Sequence, residues 1–325
     1  MVHRPHVRSR AALQELQAGE SIRTIVIALV ANVVIAIAKL VAGLMSRSTA
    51  MLAEAAHSFA DTLSEVLLAV AMHRAKKPPD EVHPLGHGRE QFLWALMAAI
   101  ASFIIGGCFS VAMAIQRLMR GGEAGPSLPA WIVLAISFIA DGASWLQSVR
   151  QARRDAREAG HDFWPHLRHS SDPVVRAVVL EDSAALAGLV LAAGGLLITN
   201  VTGNTAADAI ASLLIGILLA MTAFGVARPL ADFLVGRSLP ADYLEKLRSV
   251  VAASPAVDQV VAFQAVYIGP REVIVAAKVR PRRDIDALSL TVAIDDLDGA
   301  LRDASSFVAD VYLDITTSAR EPRDD

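Results

Sequence analysis

The chain runs to 325 residues, 54% of them hydrophobic and 19% charged, with a mean hydropathy of +0.45. Soluble domains average about 45–50% apolar and about 25% charged residues. This composition points to a membrane protein and excludes a disordered chain or a nucleic-acid-binding module, whereas the net charge of −3 excludes little. The single cysteine, Cys108, can form neither an internal disulfide nor a CxxC site, so any metal must be held by His, Asp or Glu.

The chain starts with a basic segment, MVHRPHVRSR, and no small-residue cleavage site follows the first apolar run, which reads as a retained helix. A membrane-crossing helix needs about 20 mostly apolar residues. Six runs meet that length, at roughly 24–45, 49–72, 91–118, 129–149, 174–199 and 206–228. Beyond about residue 235 the pattern shortens. Residues 241–252 form an amphipathic helix, Val257–Tyr267 and Val273–Val279 alternate like strands, Leu288–Leu301 is helical, and Val308–Ile315 alternates again. The expected organisation is a tail over residues 1–20, a six-helix membrane domain over 21–235, a small α+β domain over 236–317 and a second tail over 318–325.

Arginine and lysine set the expected orientation. Arg4, Arg8, Arg10 and Arg23 precede the first helix, and Arg74, Lys76, Lys77 and Arg89 lie between the second and third. Arg150, Arg153, Arg154, Arg157, Arg168 and Arg176 lie between the fourth and fifth. The opposite side holds only Arg47, Arg117 and Arg120. Positive charge stays cytoplasmic, so both termini and the α+β domain are expected in the cytoplasm.

Ionisable residues inside a membrane helix are costly and mark sites by default. The second helix carries Glu54, His57, Asp61 and Glu65 on one side. His57 and Asp61 stand one turn apart near its middle, where an imidazole and a carboxylate can hold one divalent cation. The alternative is a buried His–Asp hydrogen bond that only fastens two helices. Glu181 and Asp182 in the fifth helix offer a third ligand, while position 178, one turn before Asp182, is valine. Lys39 and Asp208 read as structural, Lys39 by snorkelling or by pairing with a carboxylate and Asp208 by sitting at a helix N-terminus, and Asp141 is left open. A second cluster, Asp80, His83 and His87 in PPDEVHPLGHGRE, has the spacing to close on a Zn²⁺-like ion with water, and spacing alone leaves a solvated turn equally open. The looser run His161, His166, His169 reads as an ordinary connection.

AHSFAD, HPLGHGREQF and LEDSAALAG, in that order and spacing, resemble the cation diffusion facilitator family across residues 21–317, and SDPVVRAVVLEDSAALAG resembles its zinc-transporter-9-like branch. The resemblance implies six transmembrane helices ahead of a cytoplasmic ferredoxin-like domain. It also implies a homodimer in the bilayer that exports a divalent cation, usually zinc, in exchange for protons, here from a bacterial inner membrane. Carried over, His57, Asp61 and Asp182 match the transport site, with Glu181 as a possible extra ligand, and Asp80, His83 and His87 match a loop site. Val178 departs from the histidine of many zinc transporters, which brings Mn²⁺, Fe²⁺ and Co²⁺ in as alternative cargo. No histidine or cysteine follows His169, so the α+β domain cannot carry a histidine-built metal cluster. A membrane metalloenzyme would want an HExxH helix, which HSFAD is not. A metal-responsive scaffold without transport is the remaining competitor.

Overall fold

The computed structural model describes residues 29–158, 173–270 and 272–317. The two tails, the start of the first apolar run and the histidines at 161–169 lie outside the described residues. The helices are α1 (Leu29–Ser46), α2 (Thr49–Ala75), α3 (Glu90–Arg120), α4 (Leu128–Glu158), α5 (Pro173–Thr202) and α6 (Ala206–Val235). Then come α7 (Ala241–Ala252), β1 (Val257–Gly269), β2 (Glu272–Pro281), α8 (Ala287–Ala304) and β3 (Val308–Ile315). Among the described residues, α1, α3, α4, α5 and α6 are long and apolar enough to cross a bilayer. At 27 residues α2 has the length, but its stripe of Glu54, His57, Asp61 and Glu65 makes it more polar than its neighbours.

Two compact units emerge from the contacts. The first combines the described residues up to Leu67 with Ala98–Gln151 and Val178–Gly225. Its core joins Ala42, Ala50, Met51 and Ala53 to Ala130 and Leu134 of α4, Leu189 and Leu196 of α5, and Ile215 and Leu219 of α6. Alanines dominate because helices in lipid associate through close backbone approach, not through exclusion of water. Outward, α1 exposes Val30, Val34, Ile37, Val41 and Leu44 along one face, and α4 exposes Ile132, Ile136 and Ile139. Such contiguous apolar surface suits hydrocarbon and not water.

Two local features shape the helices of this unit. The first turn of α2 is capped from α6, whose Asp208 accepts from Thr49 N at 2.5 Å, Thr49 Oγ1 at 2.8 Å and the Ser48 hydroxyl. Asp208 is therefore structural, as expected, but it serves the N-terminus of α2. Within α3, residues Phe103–Cys108 wind as a π-helical turn, and its Gly106 and Gly107 are buried.

The second unit combines Leu68–Met97 and the described residues of Ala152–Ala177 and Val226–Asp325. Its sheet has the order β1-β2-β3, with β1 antiparallel and β3 parallel to the central β2. Alternate residues of β2, namely Val273, Val275, Ala277 and Val279, are buried, the period-2 pattern of a strand with one covered face. Leu247 and Val251 of α7 and Leu297 and Leu301 of α8 are the buried helix residues of this α-β-β-α-β segment. α8 starts at Asp286, whose side chain accepts from Leu288 N and Ser289 N, each at 3.0 Å. Phe92 of α3 stacks on Phe233 of α6 with centroids 4.8 Å apart, and Tyr267 of β1 meets Phe233 edge-on.

Candidate metal sites

In the first unit, α2 buries Glu54 and His57, leaves Asp61 partly open and leaves Glu65 exposed. His57 is 2% exposed, and its Nδ1 stands 3.3 Å from Oδ1 of Asp61, whose side chain is 32% exposed. The pair is not aligned as a hydrogen bond. Both ring nitrogens of His57 and Asp61 Oδ1 are buried without a protein hydrogen-bond partner. Buried polar atoms left without partners cost about 1–3 kcal/mol each. Glu54 Oε1 on the same stripe is likewise buried without a partner, so four such atoms lie on one side of α2.

Around that pair stand further carboxylates. On α5, Asp182 turns toward α4 and accepts from Ser148 Oγ at 2.6 Å and Ser144 Oγ at 3.4 Å, and it still interacts electrostatically with His57 and Asp61. Its neighbour Glu181 interacts electrostatically with Asp61 and Glu65. The structure places His57 beside Asp61 and hydrogen-bonds Asp182 to the α4 serines; among the described residues, His57, Asp61 and Asp182 are not drawn together into one set of ligand atoms within 4.8 Å, as the loop residues are.

One arrangement escaped the sequence. Lys39, 1% exposed, reaches Glu54 Oε2 at 3.3 Å, Asp141 Oδ2 at 3.4 Å and Ser58 Oγ at 2.9 Å, tying α1, α2 and α4 together. Of the two readings open for Lys39, the structure shows pairing with carboxylates and not snorkelling, and Asp141 is one of the two partners. Gly188 of α5 faces this network, since a Cβ there would collide with Glu54 Oε1. The signal in the sequence was the rarity of a lysine in mid-membrane, but nothing in it named two partners on different helices.

In the second unit the loop Asp80–His87 folds into a compact cluster. Asp80 Oδ1 accepts from Val82 N at 3.0 Å and His83 N at 2.6 Å, while Gly86, at φ 78°, allows its N–H to close on His83 O. These bonds bring Asp80 Oδ2 to 3.0 Å from His87 Nε2 and Asp80 Oδ1 to 3.3 Å from His83 Nδ1. One ligand atom from each of the three residues lies within 4.8 Å of the others. Asp80 and His83 are half-exposed, whereas His87 is 7% exposed. The His87 imidazole and the backbone N–H of His83 hold the Asp80 carboxyl down to about 2, and Asp80 first, then Glu90, raises His87 above its usual value. Gly88 closes the loop against the β1–β2 turn, where a Cβ would come within 2.7 Å of Ile268 O.

The family model of the cation efflux transmembrane domain matches residues 25–235. The chain belongs to the cation efflux family. It is 31% identical over 248 residues to a frog (Xenopus laevis) mitochondrial proton-coupled zinc antiporter, SLC30A9, covering 76% of this chain and 43% of that protein. It is 31% identical over 225 residues to metal tolerance protein C4 of Arabidopsis thaliana, covering 69% and 49%. A Bacillus subtilis manganese efflux protein, MneP, is 28% identical over 235 residues, covering 69% and 72%. The chain spans less than half the length of the frog and plant relatives. The expected family is thus shown, as is its zinc-transporter-9-like branch. The matched region holds, among the described residues, five helices long and apolar enough to cross a membrane, and a small three-stranded sheet follows it.

Proposed function

We propose that this cation efflux protein exports a divalent cation, Zn²⁺ first, from the cytoplasm in exchange for protons by alternating access. The observation that carries the reading is the set of partnerless buried atoms on His57 and Asp61 at mid-helix in α2. His57, Asp61 and Asp182 bind the cation, and Glu181 or water completes the shell around it. Rocking of the helices then opens the site to the far side. Protons arriving at the imidazole or the carboxylates displace the metal, and histidine titrates where such exchange is useful.

In this reading α2 is the sixth crossing, and its polar stripe is the path itself. Both termini face the cytoplasm of a bacterial inner membrane, the α-β-β-α-β segment is a ferredoxin-like dimerisation domain, and the working unit is a homodimer. Asp80, His83 and His87 hold a second ion outside the hydrocarbon, where it stiffens the connection between α2 and α3 without lying on the pathway. Mn²⁺ is the second reading, supported by the manganese efflux relative and by valine at position 178.

The test is metal uptake into sealed proteoliposomes under a pH gradient, with Zn²⁺, Mn²⁺, Fe²⁺ and Co²⁺ in parallel. Zinc uptake that accelerates with an opposing proton gradient supports the reading. Uptake indifferent to that gradient refutes the exchange, and no uptake of any of the four ions refutes transport by this site.

A further inference from the structure

We propose that Glu90 is a positioning residue for the loop site: it holds the Nδ1–H of His87, so that Nε2 is the nitrogen offered to a divalent cation beside Asp80 and His83. The inference rests on reading Asp80, His83 and His87 as a metal site. It adds the residue that decides which way the central imidazole serves it.

The geometry is specific. His87 Nδ1 lies 2.7 Å from Glu90 Oε1, one helical turn ahead at the start of α3. Both ring nitrogens face a carboxylate, Nδ1 toward Glu90 at 2.7 Å and Nε2 toward Asp80 at 3.0 Å. A neutral imidazole carries one N–H and one lone pair, so a cation taken up beside Asp80 uses the Nε2 lone pair and leaves the proton on the Nδ1 that Glu90 accepts from. Glu90 is a fixed acceptor. Its other oxygen, Oε2, takes the Nε–H of Arg74 at the end of α2 and the indole N–H of Trp94 at 3.3 Å. The Arg74 guanidinium also lies over the Trp94 ring, 5.7 Å from its centroid. Three donors therefore converge on Glu90, using both its oxygens, and it is only 17% exposed. It cannot swing out to become a ligand itself.

On the far side of the same ring the donor set suits a metal. His87 Nε2 is 3.0 Å from Asp80 Oδ2, and His83 Nδ1 is 3.3 Å from Asp80 Oδ1. Bonds of about 2.0 Å in a tetrahedral zinc site put ligand atoms about 3.3 Å apart. One ligand atom from each of the three residues lies within 4.8 Å of the others, so small side-chain shifts close the set on an ion. The half-exposed Asp80 and His83 leave the fourth position to water. Carboxylate, imidazole and metal in a row is the usual way a protein fixes the tautomer of a ligating histidine, and loss of the outer carboxylate weakens metal binding about 10–100-fold. The chain Arg74–Glu90–His87 also joins the end of α2 to the start of α3 through the ligand itself. An ion held by His87 is thereby coupled to both helices.

The experiment uses the full-length protein in lipid nanodiscs, with Asp61→Asn as background to silence the membrane site, and Zn²⁺ alone as probe. Isothermal titration compares this parent with versions that add Glu90→Gln or His83→Ala/His87→Ala. A glutamine carbonyl cannot satisfy three converging donors, so Glu90→Gln is expected to weaken zinc binding at the loop by about 10–100-fold. In parallel, ¹⁵N-histidine NMR of the zinc-loaded parent, with His87 assigned by its loss in His87→Ala, should show a protonated Nδ1 and a metal-bound Nε2. That second measurement decides the matter even if Glu90→Gln fails to fold. Loop zinc held as tightly by Glu90→Gln as by the parent, or zinc found on Nδ1, overturns the proposal and leaves the loop site standing. Zinc binding unchanged in His83→Ala/His87→Ala overturns the loop site, and the role of Glu90 with it.

Discussion

Lys39 and Glu54 form an ion pair at 3.3 Å with both side chains shut from solvent, at 1% and 0% exposure. Asp141, the second carboxylate on Lys39, is 25% exposed. A buried pair adds little net stability over an apolar substitute, but breaking it strands a charge and costs about 3–5 kcal/mol. Lys39→Met strands the Glu54 carboxylate beside Asp141 and should lower the thermal midpoint of the detergent-solubilised protein the most. Glu54→Gln leaves Lys39 with Asp141 and should cost less. The double variant Lys39→Met/Glu54→Gln should be more stable than Lys39→Met alone. Simple additivity of the two single effects would show that the pair is not energetically coupled.

At the membrane site the expected outcome separates binding from folding. Asp61→Asn removes a carboxylate whose Oδ1 has no hydrogen-bond partner to lose, so folding and the thermal midpoint should change little. Proteoliposome uptake of zinc should fall to background. Asp182→Asn should abolish uptake as well, with a small stability loss, because Ser144 and Ser148 now bond to a neutral amide. Full uptake by either variant would remove that residue from the site.

The sequence carried these features unequally, for physical reasons. Long apolar runs and period-2 alternation are local signals, so the helices and all three strands stand where the pattern puts them, and residues 241–252 and 308–315 match without shift. Helices α4 and α6 continue to Glu158 and Val235, beyond the expected ends, because the extra turns are polar or mixed and hydropathy stops counting there. The approach of His57 to Asp61 was legible because a four-residue spacing on one helix is local too. The network of Lys39 was not, since its partners lie 15 and 102 residues away. Glu90 stood in plain sight, three residues after His87 in HGRE, but only the fold shows that Arg74 and Trp94 hold it there.

The loop should show a pH window. His87 is raised by Asp80 and Glu90, so its pairing stabilises the metal-free loop below the ordinary histidine value of about 6.5 and is lost as pH rises through the raised folded value. Asp80 is held down to about 2, so its contribution is present above the ordinary value of about 3.9 and is lost as pH falls toward that lower figure. Hydrogen-exchange protection of the Val82 and His83 amides, both bonded to Asp80, should therefore be greatest between those limits. Zinc runs the other way at the upper end. It needs the Nε2 lone pair, so loop affinity should rise by about tenfold per pH unit while His87 still binds its proton. Zinc affinity flat from pH 5 to 8 would contradict the assignment of His87 as a ligand.

Metal choice should turn on position 178. A tetrahedral zinc site favours nitrogen or sulfur ligands, whereas Mn²⁺ accepts carboxylate and water. With valine at 178, the proposed membrane shell offers one imidazole and carboxylates, and its preference for zinc over manganese should be modest. Val178→His adds a nitrogen one turn before Asp182 on α5, at the four-residue spacing that His57 and Asp61 share on α2. Zinc affinity should increase, by at least about tenfold if the new imidazole replaces water in the shell, a gain of about 1.4 kcal/mol. In competition uptake the ratio of Zn²⁺ to Mn²⁺ transported should rise, and turnover should fall if release becomes the slow step. No change in either affinity or ratio would mean that the α5 face carrying residue 178 is turned away from the ion. The fifth helix would then contribute through Asp182 or Glu181 alone.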